Sequence, residues 1–227
     1  MLLLHEGLQE EAAAIQEAVA KAYGIRAEAV DRDLSSVFPQ TKNVRGFGCP
    51  YPLTSRYREF GIQEGKKAMV LTRRDMYAND SSQEDDWVFG GCFSDGRFFV
   101  VSTARLGGHT SELASQRVSS QTYLRRVAAV GVHEIGHDVV KAGHFRQAAW
   151  VNAETGENLP LGPHCTDNSC IMYEAVDLKP PAPEKGFLLL GDERKYDAGL
   201  DEILVRVPEG WLCKGCKDSV SVGDGYD

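Results

Sequence analysis

Apolar residues recur at helical spacing along Ser120–Val140, at Val127, Val130, Ile135 and Val139, with no proline between them. This pattern predicts one helix over the stretch. At the N-terminal end the apolar run Met1–His5 reads as a short buried strand. Gly7–Tyr23 follows as an amphipathic helix, with Leu8, Ala12, Ile15 and Val19 on one stripe and the acids Glu10 and Glu11 in the first turn, where the helix dipole favours them. Gly24 is a C-terminal stop and Ile25–Val30 a second strand. A strand–helix–strand opening predicts a mostly parallel sheet. Lys67–Thr72 predicts another buried strand. Trp87–Phe93 and Arg97–Thr103 flank Ser94-Asp95-Gly96, the signal of a hairpin whose second arm, carrying Phe98, Phe99, Val100 and Val101, is buried.

Between these segments the pattern breaks. Ser35–Phe60 is irregular and rich in glycine, proline and basic residues; it reads as a long surface excursion. Asn79–Asp86 and Leu106–Gln116 are loops, the second carrying an exposed His109. Lys141–Pro163 reads as a loop that turns Trp150 inward, and Leu178–Gly186 is proline-rich and linker-like. Phe187–Leu190 and Glu202–Val207 are apolar enough to be buried. The organisation expected is an N-terminal subdomain over residues 1–140, a C-terminal subdomain over 141–216 and a disordered tail over 217–227.

Composition narrows the class. Of the 227 residues 42% are hydrophobic and 26% charged, enough for an ordinary core in one domain or a domain with a small second lobe. The net charge of −8 argues against a nucleic-acid footprint. The longest apolar runs are too short to span a bilayer, so no membrane partner is expected. Met1–Glu6 has neither a basic leader nor a long apolar stretch after it, which points to the cytoplasm. There the six cysteines are expected as thiols or metal ligands rather than disulfides.

The long helix carries the chemistry. His133-Glu134-x-x-His137 puts two imidazoles one turn apart on one face, able to converge on a single ion. Glu134, one residue on from the first histidine, lies beside such an ion rather than on it, where a general base belongs. Gly131 and Gly136 each cost roughly 1 kcal/mol in a helix relative to alanine, so their presence suggests close packing against another element. A second constellation is Cys165, Cys170, Cys213 and Cys216. Four thiolates in two close pairs suit a closed tetrahedral zinc site, and the Lys-Gly spacer of Cys213–Cys216 permits a tight knuckle. Disulfides, core thiols and a redox Cys-x-x-Cys are the alternatives. Cys49 and Cys92 are expected to take no part.

Together these residues resemble the archaemetzincins, metzincin-type zinc peptidases whose active helix carries His-Glu-x-x-His. In that family a third histidine is followed directly by cysteine, then by a second cysteine, a methionine and a later Cys-x-x-Cys. His164-Cys165-x4-Cys170-x-Met172 and Cys213-x-x-Cys216 are similar in order and spacing, and Phe98–Leu106 resembles the strand before the active helix. The likeness runs from about Lys66 to Cys216, and more weakly over the first strand and helix. It implies a metzincin-like α/β fold: a twisted mixed sheet with an antiparallel edge strand packed on helices, the active helix across the cleft floor, and a small C-terminal subdomain with a structural zinc. It implies two zincs per chain, one catalytic on His133, His137 and His164 and one structural on the four cysteines. Glu134 would be the general base and Met172 the methionine of the tight turn. The chain departs from the pattern where Val140 occupies the family's glycine position and Gly143 that of its third histidine. His164 comes about twenty residues later, behind an insertion.

The function so implied is hydrolysis of peptide bonds in a peptide or protein substrate; the sequence leaves the oligomeric state open, with a monomer the expectation. Two other readings stand beside it: a catalytically silent, zinc-holding regulatory module, and a zinc amidohydrolase acting on a non-peptide substrate. For the third catalytic ligand two histidines compete. His144 is nearer to His137 in sequence and follows Gly143, which could end the helix. His164 has the better context, because a metal-anchored Cys165 would fix its backbone.

Overall fold

Residues 1–34, 60, 62–77, 87–93, 97–107, 118–151, 158–174, 200, 203–204 and 210–226 are described by the computed structural model. The excursion over 35–59 with Cys49, the loop carrying His109, the hairpin turn 94–96, the linker 178–186 and the apolar run 187–190 lie outside them.

The chain separates into two compact units, Met1–Val139 with Ser221–Asp227, and Val140–Val220. The first holds a five-stranded sheet built from β1 (Leu2–His5), β2 (Glu28–Asp31), β3 (Ala68–Thr72), β6 (Gly90–Phe93) and β7 (Phe98–Ser102), in the order β2-β1-β3-β7-β6. β2, β1, β3 and β7 run parallel, and β6 closes the edge antiparallel to β7 with Cys92 opposite Phe99 and Phe93 opposite Phe98. The mixed sheet and antiparallel edge strand are those the resemblance implies. β3 and β7 are buried at every position, as expected of central strands covered on both faces.

The two faces are covered differently. α1 (Gln9–Tyr23) and α2 (Ser120–Val139) pack on each other and on the sheet, α1 against β1 and β2, α2 against β6 and β7. On alternate strand positions Leu4, Ala68, Val70, Phe98 and Val100 form a second core with Leu34, Phe60, Ile62 and Met76. Two buried tyrosines lock the helices: Tyr123 donates to Glu11 (2.9 Å) and Tyr23 to the carbonyl of Val132 (2.8 Å). Gly131 explains why a helix-weakening residue is tolerated in α2. A Cβ there would stand 3.0 Å from Cγ1 and Cγ2 of the buried Ile15, so the glycine sets how closely the helices approach. Gly131→Val is therefore expected to destabilise the fold by about 1–3 kcal/mol, as overpacking does. Urea unfolding measures it; an unchanged midpoint would mean that the helices can part without cost.

Three segments differ from the sequence reading. The expected first hairpin arm is two pieces. Trp87–Val88 (β5) leaves β7 and pairs antiparallel with Met76–Tyr77 (β4), while Gly90–Phe93 stays in the main sheet. Lys141–Pro163 is largely not a loop. Arg146–Val151 (β8) and Asn158–His164 (β9) form an antiparallel hairpin with an irregularity at Ala148/Ala149. Pro160, Gly162 and Pro163 hid the second strand, since proline and glycine normally mark its end. The side chain of Trp150 is outside the described residues.

The third difference is the C-terminal segment, expected as a disordered tail. Lys214–Asp218 is a short helix (α3), and Ser221–Tyr226 is ordered within the first unit. Tyr226 is buried; its hydroxyl donates to Asp138 (2.7 Å), and its carbonyl accepts from the Met1 ammonium (2.8 Å). Lys67 pairs with Asp138 and lies 4.7 Å over the Tyr226 ring. A single aromatic anchor carries no periodicity, so the sequence pattern could not announce this docking. Among the described residues no helix is long and apolar enough to cross a membrane.

Candidate metal centres

Ser119 precedes α2, and its Oγ accepts the Thr122 N–H at 3.2 Å and so satisfies one of the otherwise unpaired donors of the first turn. The helix continues without a break to Val139, which carries His133, Glu134 and His137 on one rigid element. The imidazoles of His133 and His137 meet edge to face, with their Nε2 atoms 3.1 Å apart. Two nitrogens on one tetrahedral zinc, each at about 2.0–2.1 Å, stand about 3.3 Å apart, so the pair fits a shared ion.

Glu134 is buried and turned toward the sheet edge. A Cβ on Gly90 of β6 would fall 2.6 Å from its Oε1, 2.8 Å from its Cγ and 2.8 Å from the carbonyl oxygen of Val100. Glycine at position 90 is thus what lets the carboxylate lie against the strand. Burial pushes the Glu134 carboxyl up to about 8. A cation held by the neighbouring histidines acts in the opposite direction. Gly90→Ala is expected to cost about 1–3 kcal/mol in urea unfolding, because the Val100 carbonyl cannot move aside as a flexible side chain could. A variant as stable as the parent would show that the strand has room to spare.

In the second unit His164 ends β9, opposite Arg146, and is buried with Nδ1 3.1 Å from the Gly162 carbonyl oxygen. Cys165 follows directly. Its N–H donates to the carbonyl of Met172 (2.9 Å), and the Tyr173 N–H donates to that of Cys170 (2.9 Å), closing a tight turn around the buried Met172. The Ile171 N–H donates to the Trp211 carbonyl (2.8 Å) and ties this turn to the Cys213–Cys216 knuckle.

Backbone amides point at the sulfurs. Asp167 N–H donates to Cys165 Sγ (3.3 Å), Cys213 N–H to Cys170 Sγ (3.3 Å) and Cys216 N–H to Cys213 Sγ (3.4 Å). Such bonds favour thiolates, the form a metal requires. The thiols restrain one another. Hydrogen bonding from Cys165 and Cys216 pulls Cys170 down to about 2, the bond with Cys170 pushes Cys165 up to about 12, and Cys216 is raised by its bonds with both.

The sequence reading did not anticipate His144 here. Its Nε2 lies 3.1 Å from Cys165 Sγ, 3.4 Å from Cys216 Sγ and 3.8 Å from Cys213 Sγ. The knuckle glycine acquires a different meaning as well. Gly215 is not among the positive-φ glycines, so the turn does not demand it; a Cβ there would stand 2.8 Å from the His144 ring. Among the described residues of the second unit, His144, Cys165, Cys213 and Cys216 form a group that can hold a metal ion, and in the first unit His133 and His137 offer a pair of ring nitrogens. Cys92, expected as a core thiol, is only half-buried on β6 and belongs to neither group.

No family model matches the chain, and no curated protein matches it. Solved structures do. The crystal structure of archaemetzincin from Archaeoglobus fulgidus, complexed with malonate, superposes with a TM-score of 0.54 at 17% identity, covering 97% of this chain and all of that one. Archaemetzincin from Methanopyrus kandleri gives 0.52 at 18% identity, over 96% of this chain and 91% of that one. The fold is archaemetzincin-like, as the motifs imply.

Proposed function

We propose that this chain is a zinc-dependent peptidase of archaemetzincin type. The observation that carries the reading is the pairing of His133 and His137 ring nitrogens at 3.1 Å, with buried Glu134 between them in sequence and held against the sheet edge. By the motif order shared with the archaemetzincins, His133, His137 and His164 would each offer a ring nitrogen to the catalytic ion. The chemistry that a zinc on these residues would supply is a bound water with a pKa lowered toward about 7 and polarisation of a peptide carbonyl. Glu134 accepts the proton at its carboxylate and can return it to the leaving amine.

The substrate side is supplied by β6. Among the described residues it is the last strand of the sheet, and an extended peptide can add to such an edge by main-chain hydrogen bonds. A peptide paired there would run past Gly90, the residue against which Glu134 lies. Cys165 and the knuckle would hold a second, thiolate-bound zinc that braces His164 from its neighbouring position.

Metal content measured together with hydrolysis of a mixed peptide library tests the proposal. Two zincs per chain with turnover is the expected result. Two zincs without turnover would instead mark a binding or regulatory module. His164→Ala is expected to leave about one zinc per chain after dialysis, the thiolate-bound one, as loss of a ligand weakens a site beyond the 10–100-fold of an outer-shell change. Retention of both ions would exclude His164 from the catalytic set.

A further inference from the structure

We propose that the thiolate zinc is held by His144, Cys165, Cys213 and Cys216, a three-sulfur, one-nitrogen set, with Cys170 outside it as a hydrogen-bonding neighbour. The inference deepens the reading above and rests on a zinc being bound at this cluster. It replaces the four-cysteine set that the motif spacing suggests.

The distances support it. On a tetrahedral zinc with Zn–S of about 2.3 Å and Zn–N of about 2.0–2.1 Å, two sulfurs stand about 3.8 Å apart and a sulfur and a nitrogen about 3.6 Å. Cys165 Sγ and Cys213 Sγ are 3.8 Å apart, and His144 Nε2 is 3.1, 3.4 and 3.8 Å from its three sulfurs. These four separations lie within about half an ångström of the edges of one coordination tetrahedron. His144, Cys165, Cys213 and Cys216 form a group in which every ligand atom lies within 4.8 Å of every other, and Cys170 is not in it.

The backbone is arranged to admit the imidazole. His144 follows the turn in which Phe145 N–H donates to Ala142 (3.2 Å), and Phe145 meets its ring edge to face at 5.6 Å between centroids. Opposite, the knuckle presents Gly215, where any side chain would enter the space of the ring. Charge favours the same choice. Three thiolates and a neutral imidazole leave the zinc site with one net negative charge, whereas four thiolates leave two, and buried charge is costly to desolvate. Cys170 keeps a supporting part, accepting the Cys213 N–H at 3.3 Å.

X-ray absorption at the zinc edge tests this in the full chain carrying His133→Ala and His137→Ala, so that zinc at the thiolate cluster dominates the signal. The expected spectrum has three sulfurs at about 2.3 Å and one nitrogen at about 2.0–2.1 Å. Four sulfurs would overturn the proposal and leave the thiolate zinc standing; a chain without zinc would overturn both. Competition with a chromophoric chelator gives an independent measure. His144→Ala is expected to weaken zinc by more than the 10–100-fold typical of losing a hydrogen-bonding neighbour, and Cys170→Ser by no more than that. The reverse order would return Cys170 to the metal.

Discussion

Glu134→Gln is expected to lower peptide hydrolysis by about 10²–10⁴-fold, the usual contribution of a general base, while the chain keeps its fold and metal content. Glutamine has the shape of glutamate and occupies the same space against Gly90, so the close approach to β6 survives. It has no carboxylate to accept a proton. Glu134 is buried, where an isolated charge is costly, so a neutral amide of the same shape is not expected to weaken the fold. The effect should fall on kcat with the zinc count unchanged, a split that a merely structural residue would not give. Steady-state kinetics on a peptide taken from the library, with metal analysis of the same sample, decide it. Undiminished turnover would remove Glu134 from the mechanism.

The second large effect is expected at Cys213. This residue belongs to both ligand sets, the one suggested by spacing and the one inferred from geometry, so its loss does not depend on which is correct. Cys213 Sγ also accepts the Cys216 N–H, capping α3, and its own N–H donates to Cys170. Cys213→Ser should therefore release one zinc per chain and lower the melting temperature. Structural zinc stabilises folded over unfolded chain by many kcal/mol, on the order of 10 or more in isolated zinc-finger peptides. What it fastens is local to the second unit: the turn around Met172 and the knuckle are joined by the Ile171–Trp211 hydrogen bond and by the shared cluster. Calorimetry with metal analysis reads both consequences. A variant with full zinc and unaltered melting would show that the cluster does not tie the two segments.

Several features could be read without coordinates of any kind. The 3.6-residue period of Ser120–Val139, the continuous apolar runs of β3 and β7 and the spacing of His133-Glu134-x-x-His137 are local properties. Local spacing determines which side chains share a helix face, so the paired histidines were legible at once, and so was the parallel sheet with its antiparallel edge. The order of histidine, cysteines and methionine led to the archaemetzincin-like fold, although only 17–18% of residues are shared with the solved structures.

What the tertiary structure decided is of a different kind. That Glu134 rests on Gly90, more than forty residues earlier, depends on β6 turning back along β7 beside α2. That His144 faces three sulfurs depends on the segment after α2 meeting the knuckle some seventy residues later. Spacing offers four cysteines as a complete set by themselves, and no local pattern announces an imidazole brought in beside three of them across the fold. β9 was concealed by its own glycine and prolines, and the docking of Tyr226 by having a single aromatic to signal it. Sequence by itself determined the donors available and the helix that pairs two of them; chain-distant packing decided which donors meet, because distances between elements are set by the whole core and not by any one segment.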